Sequence, residues 1–133
     1  MGTNSFIGQM QEDKSIRGIY CHFDGYVEHA GYTLLRHYNV NRAKVSELLD
    51  LGNLSFLGPG PRDGTCAYAR DRKEDLQEAS CYQDLTDVLE LNRSFSYVQL
   101  IDGNWIYSFA GAGKWFPIPT PPPIIEPVHE TIA

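Results

Sequence analysis

The side chains best suited to chemistry are concentrated in residues 18–39, GIYCHFDGYVEHAGYTLLRHYN, which hold three histidines, four tyrosines and a cysteine. His22 and Asp24 are ligand types that zinc, iron or manganese accept, and they would also suit an enzyme acting on a phosphorylated substrate. His29 and His37 lie two turns apart on a predicted helix, so they cannot bind one ion together. We therefore expect a structural or hydrogen-bonding role for these histidines, and no metal or other cofactor.

A nucleophilic site is not indicated by the cysteines. Cys21 and His22 are adjacent on a predicted strand, so their side chains point to opposite faces and cannot form a pair. Cys66 and Cys81 have no base nearby in sequence. The chain also lacks a nucleophile elbow, a phosphate-binding glycine loop and a paired-carboxylate signature, so we assign no catalytic residue.

Arg70 and Arg72 are the clearest candidates for binding an anion. If TCAYA, residues 65–69, is a strand that continues to them, residues i and i+2 share a face and the two guanidinium groups could hold a phosphate or a carboxylate. The alternative is a solvated turn in which the mixed charges of ARDRKED cancel.

Charge and composition restrict the classes of partner. The chain has 133 residues and 17 acidic against 11 basic side chains, which give a net charge of -6. Such a surface is poorly suited to nucleic acid and well suited to a basic protein surface. The acidic residues closest together in sequence are the candidate partner-binding residues Glu74, Asp75, Glu78, Asp84, Asp87 and Glu90.

The same composition favours a soluble protein that stays in the cytoplasm. No apolar stretch approaches the length of a membrane span, and the N-terminus lacks the pattern of a signal peptide. Three widely spaced cysteines without a C-x-x-C pair predict reduced thiols and neither a disulfide framework nor a zinc ribbon.

The elements that must position these residues are predicted from short apolar runs and turn residues. Residues 5–10 and 15–22 predict a β-hairpin around the turn QEDK. Apolar spacing predicts a helix from Val27, and a second helix is predicted with Asn41 as its cap and Gly52 as its stop.

Signals in the middle of the chain are weaker. The glycine- and proline-rich segment 52–64 predicts a loop, and residues 65–69 predict a short strand. Ser80 and Gln83 form a capping box, which predicts a third, short helix over residues 81–90.

The segment FSYVQLIDGNWIYSF, residues 95–109, predicts a second hairpin. Asp102-Gly103 suits a two-residue turn, because both central residues of such a turn need positive φ. Counting outward from that turn predicts one apolar core face with the pairs Leu100–Trp105, Val98–Tyr107 and Ser96–Phe109.

Together these elements predict an α+β fold with an antiparallel sheet of about four or five strands and two or three helices packed on one side. Residues 1–113 would form a single globular domain. Residues 114–133 are proline-rich and predict an extended tail that docks through its apolar residues or trails free. Those apolar residues are Trp115, Phe116, Ile124 and Ile125.

Four motifs resemble, in the same order, those of a group of small bacteriophage proteins, most of which have no assigned function. IYCHFDGY (19–26), LLRHYN (34–39), LGNLSFLG (51–58) and YARDR (68–72) correspond to Y-C-H-W-D-G-Y, L-x-x-H-Y-N, G-D-L-S-x-L and Y-G-R-D-R, and the similarity spans about residues 5–110. Phe23 stands where tryptophan is usual, Ala69 stands where glycine is usual, and the proline-rich tail lies outside the resemblance. The matching positions that the resemblance implies as a shared ligand site are His22, Asp24, Tyr26, His37, Tyr38, Arg70 and Arg72.

In size and charge the chain is also similar to phage inhibitors of bacterial immunity. The resemblance implies a non-enzymatic, anti-CRISPR-like counter-defence protein that binds a host defence protein through an acidic surface, in the cytoplasm of the bacterial host. One alternative is a small-molecule binder that sequesters a nucleotide signal. A second alternative is a small metal- or histidine-dependent enzyme.

Overall fold

The computed structural model describes residues 3–123, in which eight strands form one mixed sheet accompanied by four α-helices. The strands are β1 (Ser5–Met10), β2 (Ile16–Cys21), β3 (Leu54–Phe56), β4 (Cys66–Ala67), β5 (Ser80–Tyr82), β6 (Phe95–Gln99), β7 (Trp105–Phe109) and β8 (Phe116–Pro117). The helices are α1 (Tyr32–His37), which follows a π-helical segment (Val27–Gly31), α2 (Arg42–Asp50), α3 (Tyr68–Arg72) and α4 (Leu85–Glu90).

The predicted α+β class is confirmed, and the predicted sheet is corrected. The strand order is β4-β3-β2-β1-β6-β7-β8, with β5 also paired to β2. The β1–β6 and β2–β3 pairs are parallel, so the sheet is mixed and not antiparallel. β4 lies within the short strand predicted over residues 65–69. β3, β5 and β8 were not predicted, because each is only two or three residues long and too short to show an alternating apolar pattern.

Helices cover both faces of the sheet, and not one face as predicted. On one face, α1 and α2 bury Leu34 and Val45 against Ile7 of β1. On the other face, α4 buries Val88 against Phe6 of β1. Because side chains alternate along a strand, consecutive residues of the central strand β1 contribute to two separate cores.

The first hairpin and the two-helix segment follow the predicted pattern. β1 and β2 pair antiparallel. In α2, the Asn41 side chain accepts a hydrogen bond from Lys44 N at 3.0 Å, and Gly52 adopts φ +74° just after the helix. A side-chain cap and a left-handed glycine satisfy backbone groups at the two ends of a helix, which is why these ends are readable in sequence.

Two predictions in the middle of the chain are wrong. Residues 54–56, predicted as part of a loop, form β3, because they pair with β2 and β4. Ser80 begins β5 and does not cap a helix. The cap of α4 is Asp84, whose Oδ1 accepts a hydrogen bond from Asp87 N at 3.0 Å.

The second hairpin exists, but its register differs from the prediction by one residue. Val98 pairs with Ile106, and Tyr97 pairs with Tyr107. Leu100 N donates to Asn104 O, and Gly103 N donates to Leu100 O. Gly103 at φ +93° therefore occupies the left-handed position of a bulged turn, and the extra residue shifts the pairing.

The first part of the proline-rich tail packs on the domain. β8 pairs with β7, and Ile118 belongs to the same core as α1 and α2. Trp115 packs against the core beneath α4, and Pro122 O accepts a hydrogen bond from Arg36 at 2.7 Å. Ile124 and Ile125 lie outside the described residues. Within residues 3–123, every helix is too short or too polar to span a bilayer.

Candidate functional site

Arg70 stabilises the loop before β4 and the start of α3 through hydrogen bonds. Its guanidinium donates to Pro61 O at 2.5 Å and to Thr65 O at 3.0 Å, and it makes two hydrogen bonds to the Asp71 carboxylate. The Asp71 side chain also accepts from Ala67 N, at the start of α3. Hydrogen bonding to Arg70 and to the backbone lowers the pKa of Asp71. Arg70 therefore fixes the loop before β4.

The predicted pair of Arg70 and Arg72 does not form. Residues 68–72 are helical, so side chains two positions apart point in widely different directions and not to one side of a strand. Arg72 is exposed, and its guanidinium carbon lies 5.4 Å from the centre of the Tyr68 ring. This cation–π contact leaves its N–H donors free for a ligand.

His22 forms a polar pair with Tyr20 at the end of β2. The Tyr20 hydroxyl and His22 Nδ1 share a hydrogen bond of 2.7 Å, and the Arg93 guanidinium carbon lies 4.9 Å from the Tyr20 ring centre. Burial raises the pKa of Tyr20, and the positive charge of Arg93 opposes that rise. Tyr20 therefore remains a neutral hydroxyl beside a cation at ordinary pH.

Asn53 joins the elements that carry these side chains. Its Oδ1 accepts a hydrogen bond from Tyr20 N at 3.0 Å, its carbonyl accepts from Tyr68 N at 3.2 Å, and its own N–H donates to Gln77 O at 3.2 Å. The edge of β2 is shared by β5 and β3, and Tyr20 lies between the residues that pair with them. The Asn53 side chain satisfies the backbone donor in that gap.

Two cavities adjoin at Asn53 and Gln77, and we call them together the Asn53 cleft. The larger has a volume of about 530 Å³ and the smaller about 130 Å³. The larger is lined by Asn53, Tyr68, Lys73, Glu74, Asp75 and Gln77. Polar residues of the smaller cavity include Tyr20, Asn53, Gln77, Glu78, Ser80 and Arg93.

One wall of the cleft is an acidic segment, residues 74–78 (EDLQE), in which every residue is exposed. The segment has no regular secondary structure, yet it is anchored at both ends. Glu74 N donates to Tyr68 O, and Gln77 O accepts from Asn53 N. Gly52 lies so close that an added Cβ would be 2.5 Å from Gln77 O, so only glycine fits beneath the segment.

The other acidic candidates have different surroundings. Asp84 and Asp87 cap the start of α4, because Asp84 accepts from Asp87 N and the Asp87 carboxylate accepts from Gln83 N. Glu90 is exposed at the last residue of α4. Asp84 and Asp87 thus hold a helix end, whereas Glu74, Asp75 and Glu78 form the segment described above.

The remaining ligand candidates are not gathered with His22. Tyr38 is fully buried in the core beneath α1 and α2, on the opposite face of the sheet, where burial raises its pKa to about 12. His37 is exposed at the end of α1. Asp24 lies in the turn after β2 at φ +56°, and Tyr26 is 39% exposed just before the π-helical segment.

The cysteine and the histidines of residues 18–39 have separate surroundings in the structure. Cys21 is buried, and burial raises the pKa of its thiol to about 12. His29 Nε2 lies 2.9 Å from Leu57 O, so that ring ties the π-helical segment to the chain after β3. Within residues 3–123 no three histidine, cysteine or acidic side chains are grouped to hold a metal ion.

Sequence reasoning missed Arg93, Asn53, Tyr68 and Gln77 as site residues. Arg93 is far from Tyr20 in sequence and reaches it because β6 pairs in parallel with β1, beside β2. No local pattern marks such a residue. Asn53 lies within the motif LGNLSFLG, and Tyr68 is the first residue of the motif YARDR. Membership in these motifs was the sequence feature that could have identified them as site residues.

Comparison of the chain with known protein families, with curated proteins and with solved structures gave no match.

Proposed function

We propose that the chain is a non-enzymatic binding protein that inhibits a bacterial host defence protein by docking the acidic segment 74–78 on a basic surface of that protein. The observation that carries this proposal is an anchored stretch in which every residue is exposed and three carry carboxylates. The phage origin rests on the ordered motif resemblance described above, and the counter-defence class rests on the similarity in size and charge to phage inhibitors of bacterial immunity.

The charges of the segment are available to a partner. Glu74, Asp75 and Glu78 take part in none of the ion pairs found among residues 3–123. Carboxylates that form no ion pair, on one short stretch, attract a basic surface and raise the rate of association.

The segment also offers an apolar contact. Leu76 lies between the carboxylates and is 50% exposed. The backbone on either side of Leu76 is held by the hydrogen bonds from Glu74 N to Tyr68 O and from Asn53 N to Gln77 O, so little conformational entropy would be lost on binding. An apolar side chain within a charged rim is the usual composition of a protein interface.

The test is a charge-neutralised variant, Glu74→Gln, Asp75→Asn and Glu78→Gln together. The tagged protein would first be used to capture its partner from bacterial lysate, and binding of the purified partner would then be measured by calorimetry at about 0.1 and 1 M salt. We expect the variant to raise Kd by at least about tenfold at low salt and to weaken the salt dependence.

A matched control changes the net charge equally at other exposed positions: Glu12→Gln, Glu28→Gln and Asp63→Asn. This control should bind the partner as the unmodified protein does. An unchanged Kd and an unchanged salt dependence in the segment variant would refute the proposal.

A further inference from the structure

We propose that the Asn53 cleft binds a nucleoside carrying a single phosphate. This inference does not rest on the proposed docking of segment 74–78 on a protein. It comes from the volume of the cleft, from two arginines held over tyrosine rings beside it, and from the balance of charge around it.

The volume of the cleft suits a ligand of this size. Cavities that hold small molecules in proteins range from roughly 300 to 1,000 Å³. The larger cavity, of about 530 Å³, falls in that range and adjoins the smaller one of about 130 Å³. A nucleoside in the larger cavity would therefore have room to extend one substituent past Asn53 and Gln77.

Two guanidinium groups lie beside the cleft, and neither uses its N–H donors in an ion pair among the described residues. Arg72 lies over Tyr68, which lines the larger cavity, and Arg93 lies over Tyr20 and lines the smaller one. Neither arginine joins an ion pair among the described residues. A guanidinium held by a ring and not by a carboxylate retains the paired N–H donors that bind phosphate oxygens.

Arg93 carries an additional sign of an incomplete site. Its Nε is covered, yet it has no hydrogen-bond partner within residues 3–123. A buried N–H donor without a hydrogen-bond acceptor destabilises the folded protein, and the cost is larger when the donor belongs to a charged group. A phosphate oxygen entering the smaller cavity would supply an acceptor after a small rotation of the Arg93 side chain.

The carboxylates of the cleft limit how much negative charge a ligand can carry. The residues that line the cleft include the cations Lys73 and Arg93 and the carboxylates Glu74, Asp75 and Glu78, and Arg72 lies over Tyr68 beside it, so three positive charges balance three negative ones. Such a balance disfavours a triphosphate, because its further negative charges would meet the carboxylates. The carboxylates can instead accept hydrogen bonds from ribose hydroxyls or from a base amino group.

The tyrosines give a reason to prefer a nucleoside over a bare anion. Tyr68 and Tyr20 each have one ring face occupied by an arginine, and both rings border the cleft. A planar base can stack on an aromatic side chain, and this stacking tolerates different bases. We therefore expect the base to contribute to affinity and its identity to matter less.

The test is calorimetry and thermal unfolding of the whole protein with AMP, GMP and cyclic AMP, beside adenosine, inorganic phosphate and ATP. We expect at least one of the three single-phosphate nucleotides to bind and, at about one hundred times its Kd, to raise Tm by at least about 5 °C. Adenosine, inorganic phosphate and ATP should each bind at least about tenfold more weakly. No Tm increase with the three nucleotides at about 1 mM, or equal binding of phosphate alone, would overturn the proposal.

Variants locate the site. Arg93→Gln should raise the Kd of the bound nucleotide by about tenfold or more, because it removes the charged donor that lines the smaller cavity, where the phosphate would lie. Arg72→Gln should also raise it, because it removes a cation beside the larger cavity. The matched control is Arg62→Gln; the Arg62 side chain is 88% exposed and, among residues 3–123, forms an ion pair with Glu47 alone. The Kd of the nucleotide for this variant should stay within about twofold of that for the unmodified protein. Since Arg72 is exposed and contacts only the surface of the Tyr68 ring among the described residues, its variant is expected to fold, and unchanged affinity in that variant would place the ligand elsewhere.

Discussion

At the scale of single residues, Asn53 has the greatest influence on the candidate site. It joins β2, α3 and the acidic segment through three hydrogen bonds, two of which use its backbone. Only the bond from Tyr20 N depends on the side chain. A substitution of Asn53 would therefore remove only one of the three hydrogen bonds. That bond satisfies the Tyr20 N–H on the edge of β2, between the parts that pair with β5 and β3.

Asn53→Ala should lower the free energy of unfolding by about 1–3 kcal/mol, because the Tyr20 N–H would lose its acceptor. Urea denaturation followed by tyrosine and tryptophan fluorescence measures this change. The exposed Asn39→Ala is the control and should stay within about 0.5 kcal/mol of the unmodified protein. An Asn53 variant as stable as this control would show that the hydrogen bond to Tyr20 contributes nothing.

At the scale of elements, the two β-hairpins use the same turn with different residues. In the first hairpin, Lys14 N donates to Gln11 O, and Gln11 N donates to Ser15 O; Leu100, Gly103 and Asn104 repeat this arrangement in the second. The left-handed position holds Lys14 at φ +74° in the first turn and Gly103 at φ +93° in the second. A lysine there is strained, whereas a glycine is not.

Exchanges at this position should act in opposite directions. Lys14→Gly should raise the free energy of unfolding by up to about 1 kcal/mol through relief of the left-handed conformation. Gly103→Ala should lower it by at least about 1 kcal/mol, since the new Cβ would also lie 2.6 Å from Val40 Cα. Thermal unfolding of both variants measures the two changes, and shifts of the same sign would contradict this reading of the turns.

At the scale of the whole molecule, the core beneath α1 and α2 buries groups that can lose a proton in alkaline solution. Burial raises the pKa of Cys21 and of Tyr38 to about 12, and it raises the pKa of Tyr97 as well. In the unfolded chain these groups titrate at roughly 8.5 to 10. Between the two ranges the unfolded state binds fewer protons than the folded state, so stability falls as pH rises.

We therefore expect the free energy of unfolding to be unaffected by these groups below about pH 8 and to fall by about 1–3 kcal/mol per group by pH 10.5. Urea denaturation at pH 7, 9 and 10.5 would measure the loss. Tyr38→Phe retains the ring and removes one titrating group, so its stability should fall less steeply. Equal slopes for Tyr38→Phe and the unmodified protein would exclude Tyr38 as a source of the pH dependence.

The sequence by itself determined the parts of this protein that depend on neighbouring residues. The first hairpin, the second hairpin and the cap and stop of α2 were all predicted, because turn residues, strand alternation and helix caps act within a few positions. The exception is instructive: Asp102-Gly103 marked the second turn, but the bulge at Gly103 shifted its register by one residue.

The tertiary structure alone decided the site. The parallel pairing of β1 with β6 brings Arg93 to Tyr20, and the helical form of residues 68–72 separates Arg70 from Arg72. Asn53 became important only because β5 and β3 share one edge of β2. Contacts of this kind follow from which strands pair and which faces are buried, and those choices are made by the whole chain, not by any local pattern.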